Sequence, residues 1–382
     1  MTDFFTLMVQ DGYARAGYLQ TPHGGVETPF FMTVGTNATV KGILPSQLRA
    51  SRAPVVLGNT YHLALRPGEK IVSRFGGLAK FMNWHGPTLT DSGGYQVFSL
   101  AERRTLSQEG VRFKSHIDGA ELFLTPERAV DIQRSIGADM MMVLDVCPPG
   151  KASREEIQRA MDLTHTWAKR ALSRWGENPN AEATGFAQRL FAIVQGGIHE
   201  DLRKESAETL TTMDFPGFAI GGVAVGEPPE EISRIAAFTA ALLPKEKPRY
   251  LMGVGRPQDI VNAVYGGVDM FDCVLPTRHA RHWQAFTRKG PINLKNARFK
   301  EDEKPLDETC DCDTCRQAIS RGYLRHLAIE DEMTGIIYLT LHNVRFYIRL
   351  MEDIRKAICS GTFSEWRTAF LTNISEEKEN KG

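Results

Sequence analysis

Apolar residues between positions 28 and 276 recur in short continuous runs, nearly all of which stop at glycine, proline or a polar side chain. There are eight: PFFMTVGT near 30, VVLGNTYHL near 57, TLTDSGG near 90, MMMVLDV near 143, LFAIVQGG near 193, GFAIGGV near 220, YLMGVG near 252 and MFDCVLP near 273. Runs without polar alternation fit strands covered on both faces, as in parallel sheets, and each parallel pair needs a crossover connection. The segments between them carry helix grammar. In TPERAVDIQRSIG, Thr125 caps the helix, Pro126 opens it and Gly137 stops it. SREEIQRAMDLTHTWAKRALSRWG opens on Ser153 with Glu156 three residues later, a capping box. PPEEISRIAAFTAAL and RPQDIVNAVYGG follow the same rules. Eight strand–helix units predict the α/β class and a closed (β/α)8 TIM barrel. An open doubly wound sheet is the alternative, disfavoured because no glycine-rich dinucleotide loop follows the first run. Outside this rhythm, residues 107–124 alternate around Asp118-Gly119 and predict a hairpin.

Barrel chemistry collects where strands end. Those positions hold Asp91, Asp145, Gln195, Gly221-Gly222 and Asp272. Each alone is as well explained as a cap or loop residue. Three carboxylates and an amide on one rim repel one another unless a ligand or proton uses them, which points to a site. Paired carboxylates suit glycosidic chemistry, one attacking an anomeric carbon while the other moves protons. The other rim groups suit a flat heterocycle: aspartate accepts from ring N–H, glutamine donates and accepts, and glycine allows close backbone approach. Tyr95 and Met252, near strand ends, are placed either to stack on such a ring or to fill core.

Composition narrows the partners. The 382 residues carry 46 Lys+Arg against 46 Asp+Glu, so the protein as a whole is no generic polyanion binder. Charge is uneven, however: Arg278, Arg281, Arg288, Lys289, Lys295, Arg298 and Lys300 fall in a stretch with no acidic residue, interleaved with His279, His282, Trp283, Phe286 and Phe299. Such a segment is either a phosphate-backbone contact or a solvated loop. No run approaches a membrane span, and the opening MTDFFTLMVQDG lacks the basic lead of a signal peptide, so no membrane association is expected. Six cysteines, three of them in TCDCDTC (309–315), suit a reducing, cytoplasmic compartment and a bound metal better than disulfides. A closed zinc site needs four ligands, and this cluster supplies three.

Several long motifs then resemble one family. TDSGGYQVFSL (90–100), FAIVQGG (191–197), FAIGGVAVGE (218–227), YLMGVGRPQDI (250–260), FDCVLPTR (271–278) and the CxCxxC cluster are similar to tRNA-guanine transglycosylases of the bacterial type, in order and over nearly the whole chain. The resemblance implies exchange of the wobble guanine of tRNAs for Asp, Asn, His and Tyr for a 7-deazaguanine, on the route to queuosine. It implies Asp272 as the nucleophile that forms a covalent ribosyl–tRNA intermediate and Asp91 as general acid/base. Asp145, Gln195 and the Gly222 backbone would read the base edge, Tyr95 and Met252 would stack on it, and Glu227 would tune the backbone at Val223. Arg278 and Arg281 would meet tRNA phosphates. His342 would join Cys310, Cys312 and Cys315 around a structural Zn2+, and a homodimer is implied.

Three places depart from the bacterial pattern: Val146-Cys147-Pro148-Pro149 replaces Glu-Cys-Thr after Asp145, Val223 replaces leucine, and His282-Trp283 replaces Asn-Gly. Val225 stands where eukaryotic relatives have glycine, which favours the small aminomethyl group of preQ1 over queuine as incoming base. Queuine preference, and a non-catalytic tRNA-binding partner subunit, are the alternatives; the second would lack Asp272 and Asp91. The expected organisation is a barrel over 1–276 with an N-terminal cap and the 107–124 hairpin. A basic, zinc-binding insertion follows over 277–338, then C-terminal helices over 339–382 that complete the barrel and the zinc site, with a disordered tail SEEKENKG.

Overall fold

The computed structural model describes residues 3–100 and 104–379. All eight expected runs are strands: β1 (Phe30–Val34), β2 (Val56–Asn59), β3 (Thr88–Asp91), β4 (Met140–Met142), β5 (Arg189–Val194), β6 (Gly217–Ile220), β7 (Arg249–Leu251) and β8 (Met270–Cys273). Each pairs in parallel with the next, and β8 pairs with β1 in the register Met270↔Phe30 to Cys273↔Thr33. The barrel is therefore closed, and the open-sheet alternative is excluded. Its strands are apolar on both faces because one packs the barrel interior and the other packs the helix ring.

The expected helix signals operate. Thr125 Oγ1 accepts the Arg128 N–H at 3.1 Å, Pro126 leads the helix Pro126–Ile136, and Gly137 ends it at φ +73°. Ser153 and Glu156 form the reciprocal cap of Arg154–Glu177.

Four features went unforeseen in detail. Phe5–Asp11, Ala14–Thr21 and Gly24–Thr28 form an antiparallel sheet, and its side chains Arg15 and His23 reach the residues just before β8 and β4, which closes the barrel floor. The hairpin (Val111–Lys114 and Glu121–Leu124) gains a third strand, Arg104–Leu106. The C-terminal helices expected from 339 onward begin earlier, with a helix Met333–Cys359 that holds His342 inside it. A further helix, Phe363–Glu379, takes up residues 375–379 of the tail expected to be disordered, and residues 380–382 lie outside the described residues.

Candidate active site and metal centre

At the C-terminal ends of the strands a cavity of about 370 Å³ is lined by Asp91, Asp145 and Asp272 together with Tyr95, Gly222, Val223 and Met252. The rim expected from strand-end positions is thus assembled. The TDSGG turn explains part of this assembly. A Cβ on Gly94 would sit 2.6 Å from Asp145 Oδ1, and one on Gly93 (φ +80°) would sit 2.8 Å from Tyr61 Cβ. Only glycine lets the chain pass between β2 and the loop after β4 while keeping Asp91 on the rim.

Asp272 Oδ1 accepts two donors, the Tyr250 hydroxyl at 2.6 Å and the Gly253 N–H at 2.8 Å. Burial raises its pKa, and these two hydrogen bonds oppose that rise. Asp91 is held from β2: Oδ1 accepts the Thr60 N–H at 3.0 Å and Oδ2 accepts from Asn59 Nδ2. Burial pushes Asp91 up to about 7, with the nearby Asp272 and Asp145 charges adding to the rise against the Thr60 and Gly93 N–H bonds. Asp145 is pushed up to about 6 by burial, against the pull of Gln195 Nε2, which donates to its Oδ2 at 2.8 Å. Burial thus raises all three carboxylates of one cavity against neutral donors, a setting in which one can hold a proton while another attacks. Cys147 and Cys273 also face the cavity, but burial and the neighbouring carboxylates push both thiols up to about 12, so neither supplies a thiolate nucleophile at neutral pH.

The remaining expected residues fall into three groups. Tyr95 is 53% exposed at the mouth and Met252 half-buried on the wall, both open to a planar ligand. Gln195 lies behind the wall, lining a neighbouring cavity with Gly222, and its amide N–H is engaged by Asp145. Glu227 differs from expectation: its Oε2 accepts the Val225 N–H at 2.8 Å rather than meeting the Val223 backbone. The cause is the turn at Ala224, which adopts a left-handed φ of +64° and brings the Val225 amide round to the carboxylate.

The basic stretch is only partly a surface. Arg278 is exposed on the short helix Leu275–Arg281 that follows β8, and Arg281 Nη1 donates to Thr277 Oγ1 at 3.2 Å. Its aromatics do not interleave with the charges in space: Trp283, Phe286 and Phe299 are 2%, 4% and 4% exposed. Arg288 pairs with Asp353 at 3.0 Å. The two-stranded ribbon (Gln284–Thr287 with Gly290–Asn293) packs Phe286 against Phe346 and Tyr347, while Trp283 and Phe299 join the apolar cluster around Ile292 and Leu324, which a reading of composition does not register.

Sequence reasoning missed Tyr250, Asn59 and Thr60, which hold the two carboxylates. A tyrosine within a barrel strand, where branched aliphatics dominate, was the one signal available for Tyr250.

The metal centre sits apart from the cavity. Cys310, Cys312, Cys315 and His342 are all buried, with ligand atoms within 4.8 Å of one another. His342 Nδ1 lies 3.3 Å from Cys315 Sγ and 3.7 Å from Cys312 Sγ, while Nε2 donates to the Phe286 carbonyl at 2.7 Å. That outer hydrogen bond leaves Nδ1 as the free lone pair facing the thiols, the orientation a metal-ligating histidine requires. The four groups fit a tetrahedral divalent ion and can hold one.

Comparison with known proteins agrees with this geometry. Residues 10–376 match the family model described as queuine tRNA-ribosyltransferase. The chain belongs to this family of pentosyltransferases. Queuine tRNA-ribosyltransferases similar to it include that of Bacillus subtilis, 50% identical over 367 residues, covering 96% of this chain and 94% of the relative. Those of Dictyoglomus turgidum (49% over 380 residues, 99% and 96%) and Natranaerobius thermophilus (51% over 360 residues, 94% and 95%) are comparably close. Among the described residues no helix is long and apolar enough to cross a membrane.

Proposed function

We propose that this enzyme exchanges the wobble guanine of tRNAs for Asp, Asn, His and Tyr for the 7-deazaguanine preQ1 by double displacement at the ribose anomeric carbon. One observation carries the reading: two carboxylates face one cavity, Asp272 held by two donors and Asp91 retaining its proton to about pH 7. Asp272 Oδ attacks C1′ and the glycosidic bond to guanine breaks, its N9 taking the Asp91 proton. The incoming base then returns a proton from N9 to Asp91 and attacks C1′, and the bond to Asp272 breaks. Two inversions restore the β-nucleoside, and no nucleotide triphosphate is consumed. Asp145, with Gln195 behind it, accepts from the base edge, Gly222 and Val223 form the opposite wall, and Tyr95 and Met252 cover the ring faces. Arg278 and Arg281, beside β8, meet the phosphates that flank the extruded base, which an anticodon loop releases with little unstacking.

The metal is zinc, held by Cys310, Cys312, Cys315 and His342. Four protein ligands leave no position for water, so it orders the segment after β8 rather than taking part in exchange. A reducing cytoplasmic setting fits the free thiols, and a homodimer fits a tRNA that fills one site while the second subunit steadies its body.

The test is exchange of labelled guanine into a wobble-G tRNA, chased in parallel with preQ1 and with queuine. A covalent protein–RNA band on a denaturing gel is expected when the chase base is withheld. Its absence from an active preparation would overturn the mechanism. Guanine release in a single turnover should slow as pH rises through about 7, where Asp91 gives up its proton.

A further inference from the structure

Arg203 is fully buried, yet among the described residues no carboxylate is in ion-pair contact with it; Glu227 and Cys147 act on it only at longer range. Its guanidinium donates instead to three backbone carbonyls: Gly197 at 2.8 Å from Nε, Val194 at 3.0 Å from Nη1 and Gly222 at 3.2 Å from Nη2. A buried cation without a counterion is costly, and burial pulls its pKa down to about 10. The three carbonyls belong to the ends of β5 and β6, the two strands whose following loops carry Gln195 and Gly222. The loop lets the helix come this close: a Cβ on Gly196 (φ +133°) would sit 2.8 Å from the Arg203 backbone nitrogen. The same helix, Glu200–Thr211, also presents Ser206, whose Oγ accepts the Gln195 N–H at 3.1 Å.

Arg203 is absent from the cavity wall, whereas Gly222 and Val223 line it. A trans peptide points its C=O and N–H in opposite directions. With the Gly222 carbonyl drawn back onto Arg203, the Val223 N–H of the same peptide is directed away from Arg203. The wall behind the base thus loses the Gly222 carbonyl as an acceptor and keeps the Val223 N–H as a donor.

We propose that Arg203 is a positioning residue that makes the Gly222–Val223 wall a hydrogen-bond donor and so selects purines with a 6-oxo group over those with a 6-amino group. This rests on the base-exchange reading given above. The carbonyl of a 6-oxopurine meets N–H donors, while a 6-amino group would leave both itself and the wall unpaired, the kind of mismatch that discriminates strongly.

The test measures guanine exchange, and inhibition by 2,6-diaminopurine, for wild type, Arg203→Lys and Arg203→Met. Rates are normalised to the fraction of protein that forms the covalent tRNA adduct. For Arg203→Met the KM for guanine should rise roughly tenfold or more while the KM for tRNA stays within about twofold. Preference for guanine over 2,6-diaminopurine should narrow by a similar factor of about ten. Arg203→Lys, which keeps the charge and some donors, should recover part of both; should Arg203→Met not fold, Arg203→Lys read against wild type decides. A residue that served packing alone would reduce the active fraction and leave KM and base preference of the remainder unchanged, and that result overturns the proposal. Wild type that exchanges no guanine would instead refute the exchange reading itself.

Discussion

The two ends of the barrel treat buried carboxylates in opposite ways. At the mouth, Asp91, Asp145 and Asp272 meet neutral donors: peptide N–H groups, two side-chain amides, the Ser92 hydroxyl and a phenol. At the floor, Asp269 is gripped by Arg15 through Nε at 3.1 Å and Nη2 at 3.0 Å, and also accepts the Arg249 N–H at 2.8 Å. Asp139 accepts from His23 Nδ1 at 2.9 Å and from the Thr88 N–H at 2.8 Å. Both floor residues sit one position before a strand, β8 and β4, and tie it to the N-terminal sheet. The floor pairs its charges and closes the barrel. Burial raises proton affinity at both ends, Asp269 to about 6 as well, but at the floor Arg15 and Arg249 oppose the rise. The mouth leaves its charges without counterions, which is unfavourable for folding and useful for moving protons.

Substitutions should separate these two roles. The largest effect is expected for Asp272→Asn, which removes the attacking oxygen: exchange should fall at least roughly a thousandfold. Its melting temperature should not fall, because no ion pair is lost. A melting temperature well below wild type would mean that the mouth is also structural. Next comes Arg15→Met, which leaves Asp269 buried without its cation and should cost about 3–5 kcal/mol in denaturant unfolding. Exchange per folded molecule should stay near wild type, and a loss of turnover in the folded fraction would break the distinction.

Asp145→Asn tests the cost carried by the mouth. The folded pKa of Asp145, about 6, lies above the ordinary value of 3.8, so folding favours the protonated form. Stability from this group is present in acid and is lost as pH rises from 3.8 through about 6. The amide should therefore stabilise the protein at pH 8 by up to about 3 kcal/mol, with the gain vanishing below about pH 4, while base binding weakens. An unchanged pH profile of unfolding would show that burial of this carboxylate is not the cause. The smallest effect is expected at the floor for His23→Gln. Asp139 raises the His23 pKa above 6.5, so its contribution is fully present below that pH and fades as pH climbs through the raised value. The variant should be less stable than wild type at pH 5.5 and nearly equal at pH 8.5.

Much of the mouth was legible in the chain, and less of the floor. Strand ends can be read from where apolar runs stop, so Asp91, Asp145, Gln195 and Asp272 stood out as candidates before any coordinates. The floor partners of Asp269 and Asp139 did not, because Arg15 and His23 lie in a polar-alternating N-terminal stretch with no recognisable motif. Local pattern also left the segment from Arg278 to Lys300 open between a phosphate contact and a solvated loop, and neither reading covers its aromatics. Trp283, Phe286 and Phe299 are instead core: Trp283 and Phe299 belong to one apolar cluster with Ile292 and Leu324, and Phe286 packs against Phe346 and Tyr347 of the long helix.

The order of residues along the chain was enough to set the number of strands, the helix caps and the identity of the groups at each strand end. These depend on hydrophobic period and on cap chemistry within a few residues. Closure of the barrel decided which of those groups share a cavity and which donors oppose the burial of Asp91 and Asp272. It also decided that Arg203 stands behind the base wall and that His342 turns Nδ1 toward three cysteines. Each of those relations joins residues far apart in the chain, and only the register of β8 on β1 and the packing of helices on strands bring them within hydrogen-bonding reach.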